Sequence, residues 1–210
     1  MTREEAYTIL TRHISNKNLI KHCLATEATM KALYKRLIPE IDQNAEDEEK
    51  WGITGLLHDG DYEVAQKENK LDQHGALLFD ELLKEDYLPA GPLRPQSEAS
   101  RQIPKDIEMA IRSHNFTMTG VDPVTAMDWS ITCCDQLTGL IVACALIHPD
   151  KKLEPLTVEF VQKRFGEKTF AKGADRKMIS YCDEKLGLEL PEFIDITLSS
   201  MKKIHTDLGL

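Results

Sequence analysis

The sequence predicts an all-α fold, and three observations carry that expectation. Apolar residues recur at three- and four-residue spacing through most of the chain. No stretch alternates apolar and polar residues with period two between turn signals. No internal repeat marks a solenoid or propeller. The expected architecture is a helical bundle of about seven to nine helices, the last of them C-terminal additions. Residues 1–150 are read as the core, and 151–210 as a helical extension packed on it.

Each element has its own signal. Residues 18–38, NLIKHCLATEATMKALYKRLI, keep helical spacing and stop at Pro39. The acidic run EDEE at 46–49 precedes KWGITGLLHD, and negative charge suits the first turn of a helix. A third helix is expected over 70–86, LDQHGALLFDELLKEDY. Four of the nine prolines fall in 88–104, which reads as a loop. A helix follows over 105–114. A long apolar helix then starts at Asp122–Pro123, by N-cap and first-turn proline, and runs to His148 before Pro149. Shorter helices are expected near 156–165, 174–186 and 191–207.

The chain has 210 residues, 41% hydrophobic and 29% charged, which excludes collagen-like, low-complexity and disordered classes. Its net charge of −9 argues against a general nucleic-acid-binding surface. Five cysteines, Cys23, Cys133, Cys134, Cys144 and Cys182, form no Cys-x-x-Cys pair and read as reduced, buried thiols. The N-terminal MTREEAYTILTRH lacks the apolar region of a signal peptide. The longest apolar run, GLIVACALI, is far short of the roughly 20 residues that span a bilayer. A cytoplasmic protein without membrane attachment is expected.

Polar residues on apolar faces are the informative feature. Ile107, Ala110, Ile111 and His114 follow one helical stripe, so His114 completes an apolar face. Leu71, His74, Leu78 and Leu82 share a face by the same spacing, and His22 lies on the side of its helix that carries Met30 and Leu33. His58 ends the run ITGLL and is followed at once by Asp59. Asp135 sits in the middle of SITCCDQLTGLIVACALI, where a carboxylate costs several kcal/mol unless paired or metal-bound. Four inward histidines and two inward aspartates share one simple partner, a cation.

The order His22, His58-Asp59, His74, His114, Asp135 resembles the signature of the HD-domain metal-dependent phosphohydrolase superfamily, over about residues 15–145. GLLHDGDYE is similar to that family's apolar run followed by His-Asp. AIRSHN and HGALL resemble the segments that carry the extra histidines of dinuclear, HDIG-like members. The match has departures: Gly60-Asp61-Tyr62 replaces the Ile-Gly pair, and Tyr62 stands where deoxynucleotide 5′-phosphatases often carry Glu. No second His adjoins His114 and no GYP run is present, so the cyclic-di-GMP phosphodiesterase branch is not supported.

The resemblance implies one metal on His22, His58, Asp59 and Asp135, and a second on His74 and His114 with Asp59 as bridge. Such ligands suit Mn, Fe, Zn, Co or Ni. It further implies hydrolysis of a small phosphomonoester, nucleotide or dinucleotide by a metal-activated water. Asp61, two residues past the motif, is expected at the rim as a general acid or base, or else as a capping residue behind the site. Asp128 shares a face with Asp135 and is expected to orient a ligand histidine. Residues 163–177 hold six Lys/Arg against two acids, so Lys163, Arg164 and Lys168 are candidate phosphate contacts, as is Arg112. Two other functions remain open: a diiron oxygenase on the same ligands, cleaving C–C or C–P bonds, and a non-enzymatic metal- or nucleotide-binding module.

Overall fold

The computed structural model describes residues 1–82 and 103–210. Among the described residues there are eleven α-helices and no strand. They are α1 (Arg3–His13), α2 (Lys17–Leu37), α3 (Ala45–Leu57), α4 (Tyr62–Lys67), α5 (Lys105–His114) and α6 (Phe116–Thr119). Then come α7 (Ala126–Ile147), α8 (Val158–Gly166), α9 (Arg176–Leu186), α10 (Leu190–Lys203) and α11 (His205–Leu208). The all-α expectation holds. The expected loop at 88–104 and the end of the expected helix at 70–86 fall largely on 83–102, outside the described residues.

Local chemistry sets the helix ends. α2 starts where the Asn16 side chain accepts from the Asn18 N–H, and it stops where Ile38 turns extended ahead of Pro39. α3 is capped by Asn44, with Glu46, Asp47 and Glu48 in its first turn. The long central helix starts at a capping box of Thr125 and Asp128, three residues later than the Asp122–Pro123 signal suggested. The reciprocal side-chain and backbone bonds of that box satisfy two orphan donors and outcompete the proline cue. α1 carries the same device, Thr2 with Glu5, a signal the periodicity reading had left unused.

Two helices frame the rest. α7 packs on α2, α5 and α9, and α2 packs on α3, α7 and α10. One apolar cluster joins Ala25, Met30 and Leu33 of α2 to Ile131, Leu137 and Ile141 of α7. The same cluster takes in Val161, Ile179 and Phe193 from beyond residue 150. A second cluster, around Leu10, Ile53, Leu57, Ile107 and Ile111, ties α1, α3 and α5 together. Among the described residues α7 alone is long and apolar enough to cross a membrane, but most of that stretch lies buried inside the bundle.

The α2–α3 contact depends on Gly55. A methyl group there would lie 2.7 Å from the Thr26 carbonyl oxygen and 2.8 Å from the Glu27 nitrogen, both backbone. Three residues on, His58 closes α3 in helical geometry (φ −55°, ψ −37°).

The segment after α4 departs from expectation. In place of one helix over 70–86, a 3₁₀ turn covers Leu71–Gln73, His74 is extended at ψ 133°, and a π-helix runs over Leu78–Leu82. Gly75, at φ +89°, makes the break. Leu71 is consequently 44% exposed, while His74 and Leu78 are buried. Helical spacing placed His74 and Leu78 inward correctly but Leu71 wrongly, because no continuous helix joins them.

Overpacking a backbone contact costs about 1–3 kcal/mol, so Gly55→Ala should destabilise the protein by that amount in urea unfolding. Gly139→Ala, inside α7 where the new methyl would meet nothing within 4 Å, should instead stabilise the protein by about 0.5–1 kcal/mol, the helix-interior cost of glycine.

Candidate metal centre

Five separate segments deliver six side chains to one point in the bundle. α2 supplies His22, the end of α3 supplies His58 and Asp59, and the break at Gly75 supplies His74. His114 is the last residue of α5, and Asp135 lies midway along α7. His58 is fully buried, and Asp59, His74 and His114 nearly so. The His22 and Asp135 side chains keep 20% and 14% of their surface exposed, so they form the open side.

Every imidazole is held from behind by its Nδ1. His58 Nδ1 donates to the Gly55 carbonyl at 2.8 Å. His114 Nδ1 donates to the Ile111 carbonyl. His74 Nδ1 donates to Asp61 Oδ1 at 2.6 Å. His22 Nδ1 lies 3.3 Å from Thr138 Oγ1, and that hydroxyl spends its own proton on the Asp135 carbonyl. Carbonyls, carboxylates and an already donating hydroxyl can only accept. All four Nδ1 atoms therefore carry the proton in the neutral ring, and all four Nε2 atoms present lone pairs.

Those lone pairs converge on one another and on two carboxylates. The Nε2 atoms of His22 and His58 are 3.2 Å apart, as are those of His74 and His114. Asp59 Oδ1 lies 3.0 Å from His74 Nε2, 3.5 Å from His58 Nε2 and 4.0 Å from His114 Nε2. Asp59 Oδ2 is 3.5 Å from His22 Nε2. Asp135 Oδ1 stands 2.9 Å from His22 Nε2 and 3.5 Å from His58 Nε2. Two triads of donor atoms result, His22–His58–Asp59 and Asp59–His74–His114, sharing Asp59. A cluster of acceptors without donors is unstable in a protein interior unless positive charge sits among them. These buried groups fit a metal ion, and the held Nδ1 atoms are the orienting bonds that metal-binding histidines use.

Protons answer the same need when no metal is bound. Burial disfavours charge on His58, but the Asp59 and Asp135 carboxylates outweigh it and push the ring up to about 9. His74 is likewise opposed by burial and raised by Asp59 and Asp61 to about 10. Burial together with the charges on His74 and His58 pushes His114 down to about 4. The Asp59 and Asp135 carboxyls, despite burial, are held well below the usual range by the surrounding imidazoles.

The other candidates are placed differently. Asp61 is fully buried rather than at a rim. Its carboxylate accepts from His74 Nδ1 and from the Gly75 and Leu78 N–H groups, so it holds His74 and starts the π-helix, and none of its bonds faces the open side. Asp128 accepts from the Val124 and Thr125 N–H groups and caps α7 instead of reaching a histidine. Arg112 is spent on a two-pronged contact with Asp80, on Glu108, and on the face of Phe79. Arg164 pairs with Glu167 and lies over Phe160 and Phe170.

The open side leads into a slot of about 320 Å³ lined by His22, Asp135, Gln136, Gly139, Ala171, Gly173 and Ala174. The basic stretch 163–177 does reach the site, but through its small residues rather than through Lys163, Arg164 or Lys168. Gln136 is a contact that sequence reasoning passed over: its amide donates to Asp135 Oδ2 at 2.6 Å and accepts from the Asp175 N–H at 2.9 Å. Its position beside Asp135 was the only available cue. A larger cleft of about 550 Å³, lined by Trp51, Lys105 and Met127 among others, includes none of the six converging residues.

Comparison with family models, with curated proteins and with solved structures returns no match to this chain.

The shifts set a pH dependence for the metal-free protein. Between the ordinary imidazole value of 6.5 and about 9–10, folded His58 and His74 keep protons that the unfolded chain has lost, so stability falls as pH rises through that window. Between about 4 and 6.5, folded His114 is neutral while the unfolded chain is protonated there, so stability falls as pH drops. Urea unfolding of chelator-treated protein should therefore show maximal stability near the imidazole value of 6.5. A flat profile from there to the upper end of the window would contradict the charge balance described.

Proposed function

We propose that this chain is a metal-dependent phosphohydrolase of the HD-domain type, acting on a small phosphomonoester, nucleotide or dinucleotide. The observation that carries the reading is Asp59, shared between two imidazole pairs whose Nε2 lone pairs converge on it. The donor set would hold two divalent transition-metal ions, with His22, His58, Asp59 and Asp135 about one and Asp59, His74 and His114 about the other. Imidazole and carboxylate donors suit Mn, Fe, Zn, Co or Ni. Such ions, when bound, supply Lewis acidity and an activated water for attack at phosphorus.

The chain's own residues set the rest of the chemistry. Held Nδ1 atoms fix the four rings with Nε2 facing inward, so that loading has only to displace the protons that His58 and His74 carry in the metal-free protein. His74 and His114 form the closed inner half, and His22 and Asp135 the half that a substrate can approach. Asp61 acts through His74 rather than on the substrate.

Protein purified anaerobically without added metal should contain two transition-metal ions per chain. Asp61→Asn should weaken the inner ion's binding by about 10–100-fold, the usual effect of losing a partner behind a ligand histidine. One ion per chain in the wild type, after loss in purification is excluded, would remove the dinuclear reading.

The metal-loaded protein should either release inorganic phosphate from a sugar phosphate or nucleotide in a substrate panel, or split a dinucleotide in that panel into nucleotides. Asp59→Ala should lower kcat/KM by about 10³-fold, since metal charge stabilisation is worth several kcal/mol. Oxygen consumption by an iron-loaded sample, without hydrolysis of any monoester or dinucleotide, would replace this reading with the oxygenase.

A further inference from the structure

The connection between α8 and α9, residues 167–175, is built as a wall against the open side of the metal centre. Behind it, Arg176 gathers four carbonyl groups with one guanidinium: those of Phe165, Phe170, Ala171 and Ala174. In front, Gln136 ties the Asp175 N–H to Asp135 Oδ2, so the wall and a ligand carboxylate are joined through one side chain. Ala171 is held at φ +41°, a left-handed conformation that an alanine adopts only when its surroundings impose it. The connection is thus fixed in shape from two sides.

What it presents to the slot is small. Ala171, Gly173, Ala174 and Gly139 line the slot beside His22 and Asp135, with the Gln136 amide as its remaining polar group. A volume of about 320 Å³ lies at the lower limit of ligand pockets, which run from about 300 to 1,000 Å³. We propose that this connection is the specificity wall of the site. It selects a substrate whose reacting phosphate is joined to a compact, uncharged, hydrogen-bonding group such as a sugar or polyol. The phosphate half rests on the phosphohydrolase reading; the wall does not.

The test uses the full chain loaded with cobalt, whose visible spectrum reports a probe entering the metal centre. Two probe pairs are titrated, acetohydroxamate against benzohydroxamate, and inorganic phosphate against ribose 5-phosphate. Gly173→Phe fills the slot, at a position where an added methyl meets nothing within 4 Å. It should leave the small member of each pair within about twofold of wild type and weaken the large member by about tenfold or more. Ala174→Leu, on the same wall, should act in the same direction, which covers the case in which the Phe variant fails to fold.

Equal weakening of both members, or of neither, in the variants that fold would overturn the wall. If the hydroxamates separate as expected but neither phosphate probe binds the wild type, the wall stands and the phosphohydrolase reading falls. Wild-type ribose 5-phosphate affinity no better than that of inorganic phosphate would overturn the sugar or polyol assignment.

Discussion

Six acceptor groups pointed at one another inside a helical bundle are the constraint on which the structure turns. Four imidazole lone pairs and two carboxylates stand within a few ångströms, with their outward-facing bonds already made. Uncompensated, that arrangement would cost several kcal/mol for each buried charge. Positive charge must enter, as protons or as metal. The raised His58 and His74 and the depressed Asp59 and Asp135 are the protonic answer to a demand that a cation would meet more completely.

Much of the local architecture follows from delivering those groups. Gly55 brings α3 against the α2 backbone one turn before His58. Gly75 breaks what would otherwise be a helix, so that His74 can face Asp59 while its other nitrogen meets Asp61. Asp61 then satisfies the Gly75 and Leu78 N–H groups that the break would leave unpaired. A buried carboxylate with three donors is fully satisfied, and it makes the position of His74 depend on a residue with no exposed surface of its own.

The centre is also asymmetric. Its inner half, His74 and His114, is buried, and its outer half opens onto a slot lined in part by Ala171, Gly173 and Ala174 from beyond residue 150. Segments on both sides of that point share one apolar cluster, so the wall is carried on the same core as the ligands. Gln136 holds its Asp175 N–H, and Arg176 holds its Phe170, Ala171 and Ala174 carbonyls. The basic character of 163–177 finds its use partly here, since Arg176 is spent on main-chain carbonyls and Arg164 on Glu167 and two phenylalanine rings.

Helical class, most helix positions and the six converging residues are legible in the order of amino acids alone. Each of these is written in burial periodicity: a histidine completing an apolar stripe or an aspartate in an apolar run has to meet something inside. Partners are not written that way. Asp128 and Arg112 are candidates for orientation and phosphate binding by sequence, and the tertiary structure gives each another bond, whereas Asp61 takes the place behind the site that was one of its two expected roles. The continuous helix expected at His74 failed because spacing reports which residues face inward, whereas backbone direction there is set by a carboxylate thirteen residues away. Gln136 and the small-residue wall carry no periodic signal at all. Only the packed fold decided them, because hydrogen-bond partners and cavity walls belong to the space between segments rather than to any one segment.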